Sequence, residues 1–234
     1  MISGVLHLIF VLFAFLIGGG IYNAYRRGGY VNKQLRDFSV FFLLLSVYRF
    51  FLFFPLLFFS DNLNVAYWSY NAAIFVFFVM ISVALKVPLD ILRLKTKTIR
   101  IILASLVSIG IMVVSAQIFY PRLPIIDLSG FVFWNANPFA AWITSLAGFL
   151  VGMTWAYTFI KNFPKDVNLP EKIKTVLIII TAFTLGIGSL IYFPFHHSSV
   201  TLAAFAIVLV SSLCILAVIL ISLLNRKKTA SGEL

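Results

Sequence analysis

Charged residues are scarce in this chain. Only 11% of its 234 residues are Asp, Glu, Lys or Arg, whereas 62% are hydrophobic and 17% are aromatic, with Phe alone contributing 26. A soluble domain carries about 25% charged and about 45–50% apolar residues. The deficit excludes an ordinary soluble domain. It indicates an integral membrane domain, because Phe, Leu, Ile and Val partition readily into the bilayer core.

Cysteine is also nearly absent, and the common catalytic motifs are wholly absent. The single Cys214 excludes an intramolecular disulfide, and we interpret it as a small packing residue within an apolar run. The Gly-x-Ser-x-Gly and His-Glu-x-x-His motifs of serine hydrolases and zinc proteases do not occur. The sequence therefore gives no signature of an enzyme.

Seven apolar runs are long enough to cross a bilayer. A core of about 30 Å takes roughly 20 apolar residues in a helix, and continuous runs favour helices over barrel strands, whose residues alternate. The sequence predicts an all-α, polytopic membrane helix bundle, with one seven-helix domain over 1–225 and a short cytoplasmic tail over 226–234. The predicted spans are 5–25, 38–59, 65–85, 99–120, 138–160, 175–195 and 200–224.

The predicted spans lack Asp, Glu and Lys altogether. Without a membrane lysine, the retinal Schiff base of rhodopsins is excluded. Without a membrane carboxylate, proton pumping and ion-coupled transport are disfavoured. Paired histidines in mid-span, which membrane haem b requires, are missing as well. We therefore expect no cofactor.

The positive charges fall on one side of the membrane. Of the 18 Lys and Arg residues, all but Arg49 and Arg122 follow the first, third, fifth or seventh span. The positive-inside rule makes those segments cytoplasmic and places the N-terminus outside. The first apolar run has no basic residue before it, so we expect a retained helix rather than a signal peptide. The predicted location is the cell membrane.

The net charge of +11 thus reflects the orientation of the helices in the membrane. We expect anionic lipids to be partners at the cytoplasmic face, above all near residues 86–100, because basic segments beside a membrane attract acidic head groups. Nucleic acid is not an expected partner, since no basic segment is long enough to form a binding domain of its own.

Arg49 lies near the middle of the second predicted span. A charge at the bilayer centre costs at least about 2.5–3.5 kcal/mol on insertion scales. The planar guanidinium suits bidentate contact with a carboxylate or phosphate. We therefore predict a ligand-binding site at Arg49, with Gln117, Asn71 and Tyr157 as polar neighbours. The alternative is a structural arginine among polar side chains and aromatic faces.

All three histidines map to the predicted outer face. His7 lies near the outer end of the first span, and His196 and His197 lie between the sixth and seventh. They are weak candidates for a metal site, because no known ligand spacing occurs, and we predict no bound metal. The apolar outer loop over 121–137 is expected to lie on the membrane surface or to cap the bundle.

Small residues in the fifth span predict close helix packing. Ser145, Gly148 and Gly152 follow one another at spacings of three and four residues, which places them on one face of a helix. Small residues let helix backbones approach in lipid. We expect this face to pack against another helix of the same chain.

Two architectural resemblances bear on function. The N-out, seven-span plan with basic cytoplasmic loops resembles the membrane sensor domains of bacterial histidine kinases. Spans 1–3 and spans 5–7 each have a long cytoplasmic loop followed by a short outer one, and this 3+1+3 rhythm resembles small sugar transporters, whose halves are parallel repeats.

Three functions follow from these observations. The leading one is a sensor or receptor-like bundle that binds an apolar or amphipathic anionic small molecule within the membrane. It would not be an enzyme, and it would signal through a separate partner protein. The first alternative is a 3+1+3 facilitator of a neutral or anionic solute. The second is a membrane enzyme that acts on a lipid or isoprenoid substrate at the outer face.

Overall fold

The computed structural model describes residues 2–28, 33–59, 62–126, 132–164, 167–194, 203, 206–218 and 221. Within these ranges, six helices are long and apolar enough to cross a membrane, and a shorter apolar helix follows them. In chain order they are α1 (Ile2–Arg27), α2 (Lys33–Phe58), α3 (Leu63–Ile91), α4 (Thr96–Phe119), α5 (Pro138–Lys161), α6 (Leu169–Tyr192) and α7 (Ala206–Val218). The protein is an integral, multi-pass helical membrane protein, as predicted.

At the ends predicted to be cytoplasmic, the six long helices extend beyond the predicted spans. α2 begins at Lys33 rather than at residue 38, and α3 runs past Lys86 to Ile91. Backbone hydrogen bonding continues into the head-group region, where Lys and Arg extend their charged ends to water. Composition therefore locates the apolar part of a helix and not its ends. Of the predicted seventh span, the described segment Ala206–Val218 is helical, and the predicted tail over 226–234 lies outside the described residues.

The chain divides into two compact units, one formed by described residues up to Thr144 and the other by those from Ser145. In the first unit, α1 packs on α2, α2 on α3, and α3 on α4. Consecutive helices are thus neighbours, which is the packing that short connections favour. The boundary between the units falls within α5.

Hydroxyl groups tie α1 to α2. Ser39 donates to the carbonyl of Gly18 at 2.9 Å, and Ser46 donates to the carbonyl of Val11 at 3.1 Å. Ser39, Ser46 and Arg49 are all buried, and their spacings of seven and three residues place them on one face of α2. Arg49 therefore belongs to the face of α2 that contacts α1.

A proline inside α2 is compensated by α3. Pro55 has no N–H, so the carbonyl of Phe51 loses its helical partner. Ser69 of α3 donates its hydroxyl to that carbonyl. In a membrane such a carbonyl has no water to bond. The serine therefore joins α2 and α3 where the proline interrupts the backbone ladder.

The described part of the outer loop packs onto α3. Its strands β1 (Ile125–Ile126) and β2 (Val132–Phe133) pair antiparallel. Directly after β2, the buried Trp134 stacks on Tyr70 of α3, with ring centroids 5.1 Å apart and planes inclined by 5°. The described part of the loop is thus held to α3 by an aromatic contact, and its place on the membrane surface or as a cap of the bundle stays a prediction.

In the second unit, α5 and α6 approach closely. Ser145 donates to the carbonyl of Ser189 at 2.9 Å, and Ser189 donates to the carbonyl of Ser145 at 3.1 Å. A Cβ at Gly152 would lie 2.6 Å from the carbonyl oxygen of Ala182. The predicted small-residue face of the fifth span therefore packs within the same chain.

Candidate functional site

Arg49 is buried in the first unit, with 8% of its surface exposed. Its Nη1 lies 3.2 Å from Nδ1 of His7, which is 1% exposed. A guanidinium has only donors, so Arg49 donates and His7 accepts. A histidine that accepts at Nδ1 is neutral and carries its proton on Nε2. The histidine therefore contacts the guanidinium without supplying a negative charge.

Two aromatic rings also lie against the guanidinium of Arg49. Its Cζ lies 5.2 Å from the ring centroid of Phe10 and 5.4 Å from that of Tyr48. Rings within about 6 Å of a cation attract it through their quadrupole. From Arg49, α2 continues to Phe58, a length of about 14 Å at 1.5 Å per residue. The guanidinium is thus held by π faces and one imidazole, deep within the helical layer.

The described carboxylates are engaged elsewhere. Their ion pairs join Asp37 to Arg36 and Lys86, Asp90 to Lys86, and Glu171 to Lys174. The most buried of these carboxylates, Asp37, lies near the start of α2, at the end predicted to be cytoplasmic. In the part of the chain that the structure describes, no carboxylate neutralises Arg49.

Asn71 and Gln117 form a second polar cluster, between α3 and α4. Both are 3% exposed. Tyr67 donates its hydroxyl to the carbonyl of Gln117 at 2.7 Å, and Nδ2 of Asn71 donates to the carbonyl of Tyr67 at 3.0 Å. The Gln117 carbonyl is free to accept because Pro121, four residues later, has no N–H. Among the described contacts, none joins this cluster to Arg49.

Tyr157 is placed differently from the other predicted site residues. It lies on α5 in the second unit and is 56% exposed. The Nζ of Lys161, one helical turn later, lies 5.8 Å from its ring centroid. The described contacts of Tyr157 are therefore local to α5, and its place beside Arg49 stays a prediction.

The three histidines predicted as weak metal ligands also differ in where they lie. His7 contacts Arg49, whereas His196 and His197 lie outside the described residues. Among the residues that are described, no three His, Cys, Asp or Glu side chains are grouped as metal ligands would be. The contact between His7 and Arg49 was not predicted from the sequence. The chain matches no protein-family model and no curated protein sequence.

Proposed function

We propose that the protein is a receptor-like membrane bundle that binds an amphipathic molecule at Arg49. One observation carries the proposal: Arg49 is buried, and its described polar side-chain contact is an imidazole, which brings no negative charge. A buried charge without a counter-charge is costly in a membrane. An anionic head group would supply the missing charge.

The chemistry of the site narrows the ligand. One guanidinium carries one positive charge, so a carboxylate or a phosphodiester would leave the site neutral, whereas a doubly charged phosphate would not. The guanidinium has five N–H donors, of which the contact with His7 uses one. The neighbouring Phe10 ring favours an apolar chain behind the head group. The ligand class is therefore an amphipathic monoanion.

Native mass spectrometry of the detergent-purified protein tests this proposal. We expect the wild type to carry a discrete co-purified mass that Arg49→Leu loses and that Arg49→Lys, which keeps the charge but not the fork, retains only in part. Arg122→Leu is the matched control, because Arg122 is exposed, and it should keep the mass. Cooperative unfolding of every variant must be verified first.

Two outcomes would overturn the proposal. The first is a folded Arg49→Leu that retains the co-purified mass. The second is a folded wild type that carries no mass and shows no stabilisation on addition of oleate, a simple amphipathic carboxylate. Either result would make Arg49 a structural residue held by its aromatic neighbours.

A second candidate is a facilitator of the 3+1+3 type for a neutral or anionic solute. The observation that favours it is the division of the chain, with α1 to α4 in the first unit and all of the described chain from Ser145 in the second. A duplicated transporter with a connecting fourth helix would divide near this point. Solute flux into liposomes containing the purified protein tests it, and absence of flux above empty liposomes would remove it.

A further inference from the structure

Two amide atoms in the cluster between α3 and α4 stand out. Oδ1 of Asn71 and Nε2 of Gln117 are buried and have no hydrogen-bond partner among the described residues. The first is an acceptor and the second is a donor. Buried polar atoms in proteins are nearly always paired, with protein groups or with ordered water. A complementary pair of such atoms in one cluster calls for a partner that serves both.

The two side chains belong to one place in the fold. The hydroxyl of Tyr67 reaches the Gln117 backbone, and the Asn71 amide nitrogen reaches the backbone of Tyr67. Next to Asn71 in the chain, Tyr70 is covered by the buried ring of Trp134. Asn71 thus lies one helical turn after Tyr67, whose hydroxyl contacts Gln117, so both amides lie where α3 meets α4.

The surroundings favour a neutral partner. The described hydrogen bonds of the cluster run between amides, a phenol and backbone carbonyls, and no charged side chain is among them. An ion would be desolvated there without a counter-charge. A hydroxyl group fits both needs, because it donates one hydrogen bond and accepts others.

We propose that Asn71 and Gln117 form a binding site for a neutral hydroxyl-bearing molecule, which donates to Oδ1 of Asn71 and accepts from Nε2 of Gln117. Water is the smallest molecule of this class, and the hydroxyl of a small polyol shares its chemistry. The site is independent of Arg49, whose described contacts run to α1 and to its neighbour Tyr48.

Replacing each amide by an apolar side chain of similar size tests the proposal. The direction of the change in unfolding temperature decides the outcome. If a bound molecule pairs with both amides, Asn71→Leu and Gln117→Met each lower the unfolding temperature by about 2–4 °C, because the remaining amide loses its partner. The double variant is then little worse than either single one, since both act through the same molecule. If the amides are unpaired, the same substitutions raise the unfolding temperature.

Thr144→Val is the matched control. Thr144 is as buried, but its hydroxyl donates to the Ala140 carbonyl within its own helix, so its unfolding temperature should change little. Single variants that raise the unfolding temperature, or two losses that add in the double variant, would overturn the proposal.

The bound molecule is identified in the wild-type protein, so this result does not require any variant to fold. Radiolytic labelling in H2 18O reports a slowly exchanging water beside Tyr67. Native mass spectrometry with glycerol as the probe reports a polyol. Either signal supports the site, and its loss in Asn71→Leu locates it. Absence of both signals from the folded wild type would refute it.

Discussion

At the scale of single residues, prolines release backbone carbonyls at two places next to α3, and a hydroxyl of α3 reaches each one. The carbonyl of Phe51 accepts from Ser69, and the carbonyl of Gln117 accepts from Tyr67. Each of these carbonyls lies four residues before a proline, which cannot close the helical bond. In a bilayer no water is at hand to replace that bond. These hydroxyls therefore compensate for specific defects in the backbone.

A double-mutant cycle measures this compensation. Ser69→Ala should lower the free energy of unfolding by about 1 kcal/mol in the protein with Pro55, because it leaves the Phe51 carbonyl unpaired. It should have little effect in the Pro55→Ala background, where the backbone N–H of the introduced alanine restores the helical bond to the Phe51 carbonyl. Unfolding in detergent, followed by circular dichroism, gives the coupling energy.

The control for this cycle is Ser82→Ala. Ser82 donates to the Phe78 carbonyl within α3, where no proline has released that carbonyl, so the free energy of unfolding should be nearly unchanged. Equal losses from Ser69→Ala with and without Pro55 would show that the serine acts through packing and not through the released carbonyl.

At the scale of helices, α5 and α6 are held at a distance that only glycine permits. A Cβ on Gly152 would approach the Ala182 carbonyl oxygen to 2.6 Å and Cα of Gly186 to 2.8 Å. Both obstacles are backbone atoms, which no side-chain rotation removes. Ser145 and Ser189 exchange hydrogen bonds across the same pair of helices, so separating the helices also breaks those bonds.

Gly152→Ala should therefore destabilise the protein by about 1–3 kcal/mol, the usual penalty for overpacking. Gly19→Ala is the matched control, because the space around a Cβ at Gly19 is open and alanine is the better helix former. We expect the control to raise the unfolding temperature slightly. If both substitutions shift the unfolding temperature in the same direction, close packing does not explain the effect of Gly152→Ala on stability.

The contact between α1 and α2 shows how far the sequence could predict the site. The burial of Arg49 and its aromatic neighbours follow from its place in an apolar run rich in Phe. The sequence places His7 at the outer interface because it lies near the end of its span. One span by itself does not show which of its residues lie level with those of a neighbouring helix. The hydrogen bonds from Ser39 to Gly18 and from Ser46 to Val11 fix how α2 is aligned along α1. The same alignment brings Arg49 level with His7.

At the scale of the whole molecule, the number and apolar character of the spans were predictable and their grouping was not. Hydrophobic length is a property of each segment alone, so the composition predicts helices such as α4 directly. The two units arise from contacts between segments, which depend on positions such as Gly152 and on partners far away in sequence. The hydrogen bond from Tyr67 to the carbonyl of Gln117, 50 residues later, is of this second kind.

Orientation in the membrane is the remaining whole-molecule property, and thiol labelling of intact cells tests it. The turn between α3 and α4 carries the exposed cations Arg93 and Lys95, and Lys97 lies in the first turn of α4. The positive-inside rule predicts that this segment is cytoplasmic. In a Cys214→Ala parent, a membrane-impermeant maleimide should label Leu123→Cys on intact cells. It should label Thr96→Cys only after permeabilisation. The parent without cysteine is the control for background labelling. Labelling of Thr96→Cys on intact cells would show that the orientation is the reverse of the predicted one.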